Sequence, residues 1–139
     1  MTRITTLSYV KHATAITAAA MLGVIAVVVP TPQASIKYSE SLVPLIRNAI
    51  EQGSFGRDLV QLFVAGLLVG TYRGLPAALL GLSTMAFFPL LAFIEILIYP
   101  NSHNLIPFEL AIYLVKAFPA IGGAYCSRWL LDRLHKEHP

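Results

Sequence analysis

Charged side chains inside long apolar stretches are the residues of this sequence that could do chemistry. Lys116 lies in "AIYLVKAFPAIGG" and Glu95 lies in "AFIEILIY". Glu109, Tyr113 and Lys116 follow one another at i, i+4 and i+7, so they share one face of a helix. If that helix crosses a membrane, a lysine at its centre costs about 2.5–3.5 kcal/mol. The sequence therefore predicts a polar cluster of these four residues that faces other helices and not lipid.

The stretch "YPNSHNLIPFE", Tyr99 to Glu109, gathers polar residues between two apolar segments. Asn104 can cap the helix that follows, and His103 can exchange protons near neutral pH. We therefore predict that His103 and Asn104 form a lid over the polar cluster. Two other interpretations stay open. The stretch can be a turn whose neighbouring Glu–Lys pair only locks two helices together, or it can be a site that contacts a partner subunit.

A metal or catalytic site has little support in the sequence. His103, Glu95 and Glu109 offer the ligand types of a zinc or iron site, but no second histidine stands at a metal-binding spacing. Ser102 is adjacent to His103 in sequence, which does not by itself make a nucleophile and base. We therefore predict no catalytic residue, no metal and no cofactor.

The composition indicates a membrane protein. Of the 139 residues, 56% are hydrophobic and 12% are charged, against about 25% charged in a typical soluble domain. Lipid is therefore the expected solvent for most of the surface. Cys126 is the single cysteine, which excludes an intrachain disulfide. The net charge of +3 is small and its basic residues lie at the ends of apolar runs, so no nucleic-acid partner is expected.

The apolar runs predict an all-α fold, a single membrane domain over residues 1–139. It is a compact bundle of four transmembrane helices with a short outer amphipathic helix between helices 1 and 2. The predicted spans are 13–30, 56–73, 76–99 and 105–130, and the amphipathic helix covers 40–52. A basic head followed by an apolar run is also the pattern of a signal peptide, but no A-x-A cleavage pattern follows it. We therefore expect it to remain as a helix.

The second predicted span carries two further features. Arg57, Asp58 and Gln61 stand at its outer end, at the level expected for the polar cluster. Gly66 and Gly70 form a GxxxG pattern, which lets helices approach closely. The pattern favours tight helix packing and does not by itself establish a dimer.

The distribution of basic residues predicts the orientation. Cytoplasmic loops of membrane proteins carry an excess of lysine and arginine. The head, the turn after the second span and the tail are basic, whereas the loop "PNSHN" has no basic residue except His103. Both termini are therefore predicted in the cytoplasm, in the cell (inner) membrane. Basic residues within 31–57 count against this orientation.

Three classes of function follow from these features. The first is an accessory or assembly subunit that binds another membrane protein, because the chain is short and has no enzyme motif. The second is an oligomeric carrier or channel that uses the outward-facing Glu/Lys/His cluster for a proton, an ion or a small polar solute. An intramembrane enzyme has the least support. The expected partners are the lipid bilayer and either another membrane protein or further copies of this chain.

Overall fold

The chain is helical over most of the part that the computed structural model describes, which is residues 2–28, 56–98 and 106–137. The helices are α1 (Thr2–Val28), α2 (Arg57–Gly70), α3 (Ala77–Ser83), α4 (Phe87–Ile98) and α5 (Ile106–Glu137). No strand occurs among these residues, so the predicted all-α fold is confirmed for them. The predicted amphipathic helix at 40–52 and the loop at 99–105 lie outside the described residues.

Three stretches are long and apolar enough to cross a membrane. They are Leu7–Val28, Ala77–Ile94 and Leu110–Lys136. These stretches correspond to the first, third and fourth spans predicted from the sequence. The last of them belongs to one helix that continues through the basic tail, because "DRLHKE" contains no glycine or proline that would end it.

The predicted second span, 56–73, is a shorter helix than the sequence suggested. α2 has 14 residues, which at 1.5 Å per residue is about 21 Å. A hydrocarbon core about 30 Å thick needs roughly 20 apolar residues, so the prediction of four helices of spanning length is wrong for this one. α2 ends where the amide and the hydroxyl of Thr71 both donate to the Leu68 carbonyl. Gly74 and Pro76 then direct the chain through a turn at 71–76.

The third predicted span, 76–99, is interrupted between α3 and α4. Over residues 84–88 the backbone bonds join residues three apart, for example Met85 N to Leu82 O at 3.1 Å and Phe88 N to Met85 O at 3.2 Å. Pro89 explains the change, because it has no N–H to donate to the Met85 carbonyl four residues earlier. The interruption places Pro89 in the first turn of α4, where a missing N–H does no harm. Pro119, in contrast, lies inside the unbroken α5.

α2 and α5 run in the same direction and touch backbone to backbone. A Cβ added to Gly66 would meet the carbonyl oxygen of Ala120, and one added to Gly70 would lie 2.6 Å from the Ala124 Cα. Only glycine leaves room for such contacts. Because lipid is as apolar as leucine, close packing and not the hydrophobic effect drives membrane helices together. The GxxxG pattern therefore packs within the chain.

α3 packs between α1 and α5 by the same means. A Cβ on Gly23 of α1 would meet the Thr84 carbonyl, and a Cβ on Gly81 would lie 2.5 Å from the Ile121 Cα of α5. Thr84 is fully buried, and its hydroxyl donates to the Gly81 carbonyl at 2.7 Å. The interruption of the third span is thus a closely packed part of the interior.

One end of the molecule, here called the basic end, combines the 71–76 turn, the start of α1 and the C-terminal part of α5. The His12 ring lies edge-on to the Tyr72 ring, with centroids 6.2 Å apart. Arg73 Nη2 lies 2.7 Å from the Asp132 carboxylate. Arg128 Nη2 donates to the carbonyls of Tyr72, at 3.1 Å, and of Leu75. These contacts join three segments that are distant in sequence.

Candidate functional site

Asp58 and Lys116 form an ion pair in the interior of the helices. Lys116 Nζ lies 3.5 Å from Asp58 Oδ2, and the two side chains are 1% and 3% exposed. Among the side chains that the structure describes, which do not include those of Glu95 and Glu109, these are the only charged ones that are buried. Ionisable side chains inside apolar membrane segments are rare and commonly functional, so the pair is the strongest candidate for a functional site.

The close packing of α2 on α5 brings the two residues together. Lys116 lies one turn before Ala120, which faces Gly66, and it shares the buried face of α5 with Ala120 and Gly123. Asp58 lies in the first turn of α2. The N-terminus of a helix carries a partial positive charge, which stabilises a carboxylate there. The carboxylate is therefore held by the helix dipole as well as by the ammonium.

Apolar side chains surround the pair. Leu62, one turn after Asp58, is fully buried in a cluster with Phe88 and Ala117. The Tyr113 ring lies 5.9 Å from the Phe88 ring, centroid to centroid. In such surroundings the attraction between the charges is stronger than in water, and the cost of leaving either charge alone is larger.

The Asp58 carboxylate keeps unused hydrogen-bonding capacity. Its Oδ2 atom is buried and accepts no hydrogen bond. The 3.5 Å separation from Lys116 Nζ is longer than the roughly 2.7–2.9 Å of a charge-assisted hydrogen bond. A carboxylate oxygen in this state can accept a further hydrogen bond or coordinate a small cation.

The residues predicted at the outer end of the second span separate into two environments. Asp58 is buried, Gln61 is half-buried on the next turn, and Arg57 is exposed. The sequence analysis placed all three at the level of the polar cluster but did not pair Asp58 with Lys116. The pairing can be inferred in retrospect, because a carboxylate at the start of an apolar run requires a cation and Lys116 is the only lysine within the predicted spans.

Most of the other predicted site residues lie outside what the structure describes. His103 and Asn104 belong to the 99–105 segment. Glu95 and Glu109 are positions of α4 and α5, but their side chains are not described. The lid and the pairing of Lys116 with either glutamate therefore stay predictions. The acidic partner that the structure describes for Lys116 lies on α2.

The ion pair is far from the basic end along two helices. Lys116 precedes Arg128 by 12 residues, and Asp58 precedes Gly70 by the same number. Each interval corresponds to about 18 Å of helix. Half of a typical hydrocarbon core is about 15 Å. If the basic end lies at a membrane surface, the pair lies near the middle of the bilayer.

Arg128 is a structural residue that the sequence analysis did not identify. Beyond its bonds to the Tyr72 and Leu75 carbonyls, its Nε atom is buried without a hydrogen-bond partner. Carbonyls after the end of α2 have no helical donor, and the guanidinium supplies one. Its position four residues before Asp132 gave no indication of this role, because the contact depends on how α5 packs beside the 71–76 turn.

The described residues contain no group of three or more histidine, cysteine, aspartate or glutamate side chains that could hold a metal ion. Comparisons with protein-family models, with curated proteins and with solved structures gave no match. The function is therefore inferred from the arrangement of this chain's own residues.

Proposed function

We propose that the chain is a small multi-pass protein of the cell (inner) membrane, a bundle of three spanning helical segments and the shorter α2, with both termini in the cytoplasm. The three apolar stretches of spanning length support insertion in a membrane. α2 is the fourth helix of this bundle and extends from the basic end to the level of the ion pair. The contacts of His12 with Tyr72 and of Arg73 with Asp132 support placing both termini and the 71–76 turn on one side, which the positive-inside rule makes the cytoplasm.

Within that membrane the chain acts as an accessory or assembly subunit that binds another membrane protein. The closeness of the helix contacts carries this proposal. α2 with α5, α1 with α3, and α3 with α5 approach so closely that one added Cβ would overlap the facing backbone. No solute passes between helices in such contact. A single copy is therefore better suited to present its outer surface to a partner than to conduct.

The outer surface of α2 supports a binding role. Val60, Val64 and Leu68 stand at i, i+4 and i+8, and all three are exposed. A stripe of this kind can face lipid or the helix of another membrane protein. Helix association in lipid depends on shape and packing, so a flat aliphatic stripe is an adequate contact surface.

Cross-linking from this stripe tests the subunit proposal. A photoreactive amino acid at Val64 should cross-link one membrane protein in cells, and the same protein should co-purify with the chain in mild detergent. Leu62 is fully buried and serves as the matched control position, from which no partner should be captured. Lipid adducts alone from Val60, Val64 and Leu68, together with purification of the chain without any partner, would exclude the proposal.

A carrier of a proton or a small cation is the second candidate, and the Asp58–Lys116 pair is the observation that favours it. Ionisable residues inside membrane segments commonly belong to ion pathways, and this carboxylate has a buried oxygen without a hydrogen bond. Because the described helices are closely packed, such a pathway would run between copies of the chain. Proton or sodium flux into liposomes that contain only this protein, lost in Asp58→Asn, would favour the carrier over the subunit.

A further inference from the structure

A stripe of exposed side chains on α5 changes from apolar to aromatic to cationic towards the basic end. Phe118, Tyr125 and Trp129 are exposed large side chains, and Arg133 and Lys136 are exposed further along. Trp129, Arg133 and Lys136 follow at i, i+4 and i+7 and therefore lie on one face. This order of side chains matches the passage from hydrocarbon through the interface to the headgroups, where tryptophan and tyrosine concentrate.

No carboxylate among the side chains that the structure describes pairs with either cation of this stripe. The ion pairs there are Arg73 with Asp132 and Lys116 with Asp58. Arg128 donates inward to backbone carbonyls. Arg133 instead stacks on Trp129, with its guanidinium carbon 4.7 Å from the ring centroid. The stacking fixes the direction of the guanidinium while its N–H groups stay available.

We propose that Trp129, Arg133 and Lys136 form a binding site for the anionic headgroup of a phospholipid. A planar guanidinium binds a phosphate through two parallel hydrogen bonds, and Lys136 adds a second positive charge one turn away. Trp129 anchors the site at the depth where the phosphates of a bilayer lie. The site depends on the membrane location proposed above, but not on the role as an accessory subunit.

The protein contains one tryptophan, so the fluorescence of Trp129 reports on this site alone. The purified full-length chain in nanodiscs is titrated with brominated phosphatidylglycerol or brominated phosphatidylcholine, whose bromine atoms quench nearby tryptophan. We expect half-maximal quenching at a clearly lower mole fraction of the anionic lipid. A basic residue near an anionic membrane contributes about a fivefold change in binding, so Arg133→Gln with Lys136→Gln should weaken the preference for the anionic lipid about 25-fold.

Arg57→Gln is the matched control. It removes an exposed cation at the N-terminus of α2, the end that lies away from the basic end, and should leave the preference for the anionic lipid unchanged. Equal quenching of the wild type by both lipids would overturn the proposal without any variant. Retention of the full preference by the double variant would also overturn it. Competition by inorganic phosphate at equal concentration would show a site for free phosphate and would overturn the assignment to a lipid. Because no partner protein is present, a negative result leaves the subunit proposal unaffected.

Discussion

Neutralising the Asp58–Lys116 pair one residue at a time, and then together, tests whether the pair holds the helices as the structure indicates. Lys116→Met keeps the unbranched side chain and removes the charge, whereas Asp58→Asn keeps the shape of the carboxylate and removes its charge. Each single change leaves the other residue without the opposite charge that the structure places 3.5 Å away. The double variant Asp58→Asn/Lys116→Met has no charge at either position.

The burial of the pair sets the expected magnitudes. Removing one partner of a buried ion pair destabilises a protein by about 3–5 kcal/mol. The double variant should lose only about 1–3 kcal/mol, the cost of a buried amide without a full set of hydrogen bonds. Two independent single changes would add to about 6–10 kcal/mol. The expected coupling energy is therefore at least about 3 kcal/mol.

Unfolding by sodium dodecyl sulfate in mixed micelles, followed by far-ultraviolet circular dichroism, measures the four free energies. The exposed pair Arg73–Asp132, whose side chains are 53% and 63% exposed, provides an internal control in the same protein. Exposed pairs contribute about 0–1 kcal/mol, so its cycle should give a much smaller coupling. A coupling energy at Asp58–Lys116 no larger than that of the control pair would refute the inference that the pair stabilises the fold.

Three further predictions follow from the packing and the orientation. Gly66→Ala should lower the free energy of unfolding by about 1–3 kcal/mol, because the added Cβ would overlap the facing backbone. Gly56→Ala, where an added Cβ meets no atom within 4 Å, should change the free energy of unfolding little. Equal effects of the two substitutions would contradict the contact. Arg128→Gln should cost about 1–3 kcal/mol and speed hydrogen exchange in the 71–76 turn; an unchanged exchange rate would show that the guanidinium does not hold the turn. In a variant without the native cysteine, Asn101→Cys should react with an impermeant maleimide on intact cells and Gly74→Cys only after lysis; the reverse pattern would invert the proposed orientation.

The sequence was sufficient to predict most of the helices. Long apolar runs mark the first, third and fourth spans, because a membrane helix must satisfy its backbone internally and expose apolar side chains. The run "DLVQLFVAGLLVG" is just as apolar, but a hydropathy pattern does not show where helical hydrogen bonding stops. α2 ends where the amides of Thr71 and Tyr72 bond to carbonyls three residues earlier, a local change of hydrogen bonding that an average over composition does not reveal. Likewise, Pro89 indicates a disturbance of the third span but not that the helix restarts just before it.

The partner of Lys116 could not be predicted from periodicity, because periodicity fixes which face of a helix is buried and not which residues of two helices meet. Periodicity predicts that Lys116 faces other helices, and its side chain is buried in the structure. Its level relative to Asp58 depends on the axial position of α2 along α5, and that position is set by Gly66 on Ala120 and Gly70 on Ala124. Glycine patterns show that helices can approach closely, without identifying the facing helix.

The glycine contacts and the ion pair therefore depend on each other. Sliding α2 along α5 by one residue would move Asp58 about 1.5 Å along the axis and would also drive the Gly66 and Gly70 positions against the side chains beside Ala120 and Ala124. Close packing thus selects one register, and that register places a carboxylate against the only buried lysine of the described chain. In return, the charge pair disfavours every register that leaves either charge facing apolar groups. Packing and electrostatics specify the same arrangement, so a variant that opens the Gly66 contact should also weaken the coupling between Asp58 and Lys116.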